Sequence, residues 1–259
     1  MSEREEMLER IRTALGRSKG SVPSVPSTSG YTSEEWPPSG QRIMPRIAPE
    51  DLVATFEAEL RKVGGVPYRA SAPELDEVIR AILASCGATA AVLSRNPLLS
   101  RLRLADRLRA WGTSAAVWTA PDPPRAEHAH LKSSPRQNAV DSASAEEAFR
   151  EQCFGATVGI TGVDFVLAES GTMVLSSLTE GSQLASLAPP VHLALYTRPQ
   201  VLASLEEVLE RLSPRLNSGR SVVFVTGTSR TADIEQILIR GVHGPREVHA
   251  VLVEESCLK

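Results

Sequence analysis

The chain has 259 residues, of which 42% are hydrophobic and 4% aromatic, and its formal net charge is −3. That near-neutral balance, with no basic run and few aromatic rings, argues against a nucleic-acid surface or a base-stacking platform. Apolar runs stay short of the roughly 18 to 20 residues that a membrane-spanning helix needs. The first residues, MSEREEMLERIR, are charged and lack an apolar core, which is not the pattern of a secretory leader, so the expected location is the cytoplasm.

Residues 1–16 read as a short amphipathic helix, with Met7, Leu8, Ile11, Ala14 and Leu15 at spacings of three and four and Gly16 as a stop. Residues 17–48 are rich in Ser, Pro and Gly and read as a flexible linker. A helix on such a tether is suited to docking on a partner, on a sister subunit of a homo-oligomer, or on its own body. Residues 49–259 then read as one α/β domain.

Within that domain, helices are expected over 51–64 and 72–86, a strand over 88–93, a helix over 98–111 and a strand over 115–119. Pro67–Ala70 is expected as a short strand and 121–144 as a long polar loop, followed by a short helix over 145–152. Further on, Val191–Tyr196 and Glu247–Val253 read as strands, Arg198–Leu212 as one amphipathic helix, and Glu180–Gln183 as part of an exposed loop or short helix. Alternating strands and helices imply parallel pairing in a three-layer αβα sandwich, in which ligands sit at the carboxyl ends of the strands.

Three stretches carry the candidate chemistry. In GITGVDFVLAESGTMVL, two apolar runs flank the polar turn Glu169-Ser170-Gly171, with Thr172 opening the second run. Glu169 reads either as a general base or as a carboxylate holding loop N–H groups. Ser170 and Thr172 read as anion donors or as turn-stabilising hydroxyls, and Gly171 as a backbone requirement or a substrate contact. The apolar run Ser221–Thr226 leads into GTSRTADIE, expected as a polar turn opening a helix, whose N–H groups suit an anion. There Arg230 is the expected carboxylate or phosphate clamp, with Ser229, Thr231 and Asp233 as substrate contacts or caps. Asp233 at a helix start competes with an anion on the axis, which favours a ligand with hydroxyls or one lying beside the turn. Third, His243 in Gly241-Val242-His243-Gly244-Pro245 is a candidate proton donor or ligand contact.

The remaining titratable groups give little. Cys86, Cys153 and Cys257 form no CxxC, so no zinc or iron–sulfur site is expected in this chain. His128 and His130 alternate but lack a third ligand, and His192 and His249 read as structural. No GxGxxG follows an early strand, so no dinucleotide site is expected either.

Taken together, AESGTMVLSS, LAPPVHLALY and TGTSRTADIEQILIRGVHGPREVHAVLV resemble the LUD domain family over essentially the full chain. The resemblance implies a fold like that of the ribose-phosphate isomerase and CoA-transferase class. It also implies a part in oxidation of L-lactate to pyruvate, with iron–sulfur clusters carried by partner subunits of a lactate-oxidising complex. Three readings follow. The chain is a subunit binding a small anionic hydroxy acid or a partner's cofactor, or a stand-alone acyl-CoA or sugar-phosphate enzyme using Glu169, or a non-catalytic scaffold.

Overall fold

The structure is a computed structural model that describes residues 46–119, 135–216, 221–232 and 238–258. The expected N-terminal helix, most of the linker, His128, His130 and Asp233 lie outside the described residues. In chain order the elements are α1 (Leu52–Lys62), β1 (Val66–Ala70), α2 (Leu75–Ser85), β2 (Ala90–Leu93), α3 (Pro97–Arg101), α4 (Leu104–Ala110), β3 (Ser114–Val117), α5 (Pro135–Gly155), β4 (Val158–Thr161), β5 (Phe165–Leu167) and β6 (Thr172–Ser176). Then follow α6 (Ser177–Glu180), α7 (Leu184–Leu187), β7 (Val191–Tyr196), β8 (Val201–Leu202), α8 (Leu205–Leu216), β9 (Val222–Thr226), β10 (Arg230–Ala232), β11 (Leu238–Arg240) and β12 (Glu247–Val253).

Six strands pair in the order β1-β12-β7-β4-β2-β3, all parallel. Every residue of β4 and β7 is buried, as expected of a parallel sheet covered on both faces. Alternation sorts the side chains. Leu93, Ile160, Leu193, Leu195 and Val251 meet Ile79 and Ile82 of α2 and Leu104 and Leu108 of α4. On the other face, Ala194, Tyr196, Ala250 and Leu252 meet Phe56 and Leu60 of α1, while Val92 lies under Phe149 and Cys153 of α5 and Ala185 of α7. The result is the three-layer α/β architecture that the sequence implied.

A second sheet, β8-β5-β6-β9, completes that other face. Val166, Met173 and Leu175 turn inward onto α1, and Leu167, Val174 and Leu202 turn outward under Val208 and Leu212 of α8. The stretch 164–175 is therefore a hairpin, β5 and β6 antiparallel with Val166 opposite Met173, and it lies beside the parallel sheet rather than within it.

Four expectations give way. The helix expected over 98–111 is two helices, broken where Arg103 takes a left-handed φ of 49°. Leu102 and Leu104 are both buried in the same cluster, yet on one continuous helix they would point about 200° apart. The break lets both reach the core. The helix expected over 198–212 starts only at Leu205, because Val201–Leu202 pairs with β5, and Leu205 and Leu209 are exposed. The loop expected up to Ser144 is helical from Pro135. Finally, the chain after Thr228 enters no helix at Arg230: β10 pairs antiparallel with β11, Thr231 opposite Ile239, as suits β-branched residues.

Candidate functional site

In the parallel sheet, β2 leads outward to β3 at one edge, whereas the chain leaving the adjacent β4 returns by way of the second sheet to β7 on the other side. Neighbouring strands whose connections part in opposite directions leave a crevice at their carboxyl ends, where α/β folds bind ligands. A pocket of about 400 Å³ opens there. Asn96 and Leu98 line it from the end of β2, Val163 and Asp164 from the end of β4, and Thr197 and Gln200 from the end of β7. Pro97, Arg101, Phe165, Thr179 and Leu258 complete its polar and apolar wall.

Under this crevice lies Glu180, which is 0% exposed rather than in an exposed loop. Its Oε2 accepts from Ser94 Oγ at 2.5 Å and from the Gly162 N–H at 3.1 Å, and its Oε1 accepts from the Asn96 amide. Three donors converge on one carboxylate, an arrangement that favours the anion, while burial and the nearby Asp164 oppose it. Burial is the largest effect, and it raises the Glu180 carboxyl above its ordinary value. Gly162 permits the arrangement: a Cβ there would lie 2.2 Å from the Asn96 side chain.

The same knot shapes the pocket wall. The other end of the Asn96 amide accepts from Leu98 N at 2.9 Å and caps α3. Asp164 Oδ2 accepts from Ser176 N at 2.7 Å and Thr179 Oγ1 at 2.9 Å. Gln200 Oε1 accepts from Thr197 N and Oγ1 at 2.7 and 2.9 Å, and its Nε2 donates to Val163 O, joining the ends of β7 and β4. Sequence patterning gave no sign of this set, because Asn96, Asp164 and Glu180 come from separate connections and form no local motif.

The residues singled out in the sequence lie elsewhere. Glu169 Oε1 accepts from Leu205 N at 2.7 Å and so holds the first turn of α8. Ser170, Thr172 and Thr226 form a row of hydroxyls, 2.8 Å at each step. Gly171 has a φ of 65°, and a Cβ on it would lie 2.3 Å from Leu60 N. The Arg230 guanidinium reaches the carboxyl end of α1, where a Cβ on Gly64 would lie 2.9 Å from it. A cation there complements the helix dipole, and the described residues Arg230–Ala232 form a strand where the expected turn would open a helix. Ser229 donates from its N–H to Pro245 O and accepts from Gly241 N, each at 3.0 Å, and holds the turn carrying the exposed His243. Thr231 lies within the β10–β11 ribbon. The structure thus brings Ser170 and Thr172 toward the end of β9, and Ser229 against the His243 turn. Among the described residues, no hydrogen bond or ion pair joins Glu169, Arg230 and His243.

His192 is fully buried with Nε2 2.8 Å from Thr161 Oγ1, and burial, with His249 beside it, pushes its pKa down to about 4. The Cys153 thiol is pushed up to about 12 by burial, and the Cys86 and Cys257 thiols donate to the carbonyls of Ile82 and Ala70. These thiols do not fit an iron–sulfur cluster, which needs several thiolates converging on one point.

A three-layer α/β domain with a crevice at the point where strand order reverses is the class that fold and site define. The LUD domain family model matches residues 53–253, and the chain belongs to that family. It is similar to lactate utilization protein C of Exiguobacterium sp., with 27% identity across 98% of this chain and 97% of that protein. It is similar also to lactate utilization protein C of Bacillus subtilis, with 24% identity across 97% and 96%. The same-named protein of Halalkalibacterium halodurans is 35% identical over 109 residues, 40% of this chain and 47% of that one. Among solved structures, a DUF162 family protein from Deinococcus radiodurans shares the fold with a TM-score of 0.53 at 17% identity, covering 80% of this chain and 99% of that one.

Proposed function

We propose that this chain serves in lactate utilization, as a subunit of a system that oxidises L-lactate to pyruvate. Its crevice between the ends of β2 and β4 holds the small hydroxy acid, or a partner's cofactor that reaches it. The relatives' names support the process. The buried Glu180 knot supports the location: it fixes three connections around one pocket at the position where α/β sheets take ligands.

Oxidation of lactate to pyruvate releases two electrons and two protons. The thiols of this chain do not fit a cluster, so the reading assigns the electrons to iron–sulfur partner subunits. A pocket of about 400 Å³ exceeds what a three-carbon acid fills, which leaves room for a second reactant. The test is L-lactate-dependent dye reduction by the partner subunits with and without this chain, and with Leu98→Trp, which adds bulk to the pocket lining. Activity that needs the chain and falls with Leu98→Trp supports the reading, and activity indifferent to both contradicts it.

A further inference from the structure

We propose that Arg101 is the carboxylate-binding residue of the crevice, and that it exchanges the main-chain carbonyl of Leu258 for the carboxylate of an α-hydroxy acid. The inference rests on the crevice being the small-molecule site. Among the described lining residues Arg101 is the one cation. Its side chain is exposed, and its Nη2 donates to Leu258 O at 2.7 Å. Leu258 itself lines the pocket.

The polar groups around it are committed to the wall. The Asn96 amide is engaged at both ends, and Gln200 is engaged at both of its own. A guanidinium carries five donors, so among the described residues the one bond to Leu258 leaves most of its capacity for a ligand. A carboxylate accepts two parallel N–H bonds from a guanidinium and carries the opposite charge, where the Leu258 carbonyl accepts one bond and is neutral. An entering carboxylate therefore outcompetes the Leu258 carbonyl. Asp164 opposes an anion, but its Oδ2 takes donors from Ser176 and Thr179, which offsets part of its field. A carboxylate acceptor in the wall also suits the hydroxyl of an α-hydroxy acid better than it suits a simple acid.

The competitor sits on a short turn, Glu255–Leu258. That turn is held by Ala72 N to Ser256 Oγ at 3.1 Å, by Cys257 N to Glu254 O at 2.9 Å, by the Cys257 thiol to Ala70 O at 3.4 Å, and by packing of Cys257 and Leu258 against the core. Loosening the turn should free the guanidinium and tighten binding.

The experiment is calorimetry on the full chain with L-lactate and with L-lactamide, a near-isosteric neutral analogue. Arg101→Gln should weaken L-lactate binding about tenfold or more and leave L-lactamide unchanged. A chain ending at Glu254 should bind L-lactate several-fold tighter, and Ser256→Ala, which keeps the chain at full length, should shift affinity in the same direction. Wild-type binding that Arg101→Gln does not alter overturns the proposal and leaves the crevice reading intact. Tail variants with wild-type affinity overturn the exchange with Leu258. No L-lactate binding by the wild type or either tail variant overturns the crevice reading, and this proposal with it.

Discussion

Ser94 Oγ donates to Glu180 Oε2 at 2.5 Å across 86 positions of sequence, and this bond ties the end of β2 to the end of α6. With the Asn96 amide and the Gly162 N–H it makes Glu180 the fixed point of the crevice. Glu180→Ala leaves three buried donors without their acceptor and should cost about 3 kcal/mol or more, read by urea denaturation. A loss below about 1 kcal/mol would show that the knot does not hold the fold.

The same carboxyl gives a pH dependence. Its folded pKa is raised above the ordinary 4.5, so its contribution to stability is full below that value and is lost as pH rises through the folded pKa. The stability of the wild type relative to Glu180→Gln should therefore fall with rising pH above 4.5. Thermal unfolding of both proteins across that range checks it, and a gap that widens with pH has the wrong sign.

His192 acts in the opposite sense. Its folded pKa is about 4 against an ordinary 6.5, so the stability it contributes is present above 6.5 and is lost as pH falls toward 4. That loss is on the order of 3 kcal/mol. His192→Gln should flatten the acid limb of the stability curve, and an unchanged limb would mean that other groups carry it.

Gly171 sits at a left-handed φ with the backbone of α1 against it. Gly171→Ala should cost at least about 2 kcal/mol in denaturant unfolding, since it adds both backbone strain and overlap. Near-wild-type stability would mean that the hairpin and α1 can move apart.

Glu169 caps α8 through Leu205 N. Glu169→Ala should lower stability by about 0.5 to 2 kcal/mol, as lost helix caps do, and leave L-lactate binding unchanged. The rival acyl-CoA reading makes Glu169 a base or nucleophile. A mass increase on Glu169 after incubation with an acyl-CoA would favour that rival over the lactate account.

The layers of this fold were legible because buried strands announce themselves: Val191–Tyr196 and Glu247–Val253 emerge with the ends that periodicity gave them. The hairpin at 165–176 was legible too, since Gly171 and its polar neighbours mark the turn. Local pattern failed where tertiary packing overrides it. The run Val201–Leu202 has helical spacing with Leu205 and Val208, yet pairing with β5 takes it into a sheet. Glu180 stands beside Gly181 in a polar stretch that reads as surface. Its burial follows from Ser94, Asn96 and Gly162, none of which a window around it contains.

The central claim is that the crevice between the ends of β2 and β4 takes the small acid. It is tested most directly by titrating the full chain with L-lactate and following assigned backbone amide NMR shifts. The account predicts shifts centred on Asn96, Val163, Thr179 and Thr197 around the pocket. Shifts centred instead on Glu169–Thr172 and Ser229–Thr231, or no shifts at saturating L-lactate, would contradict it.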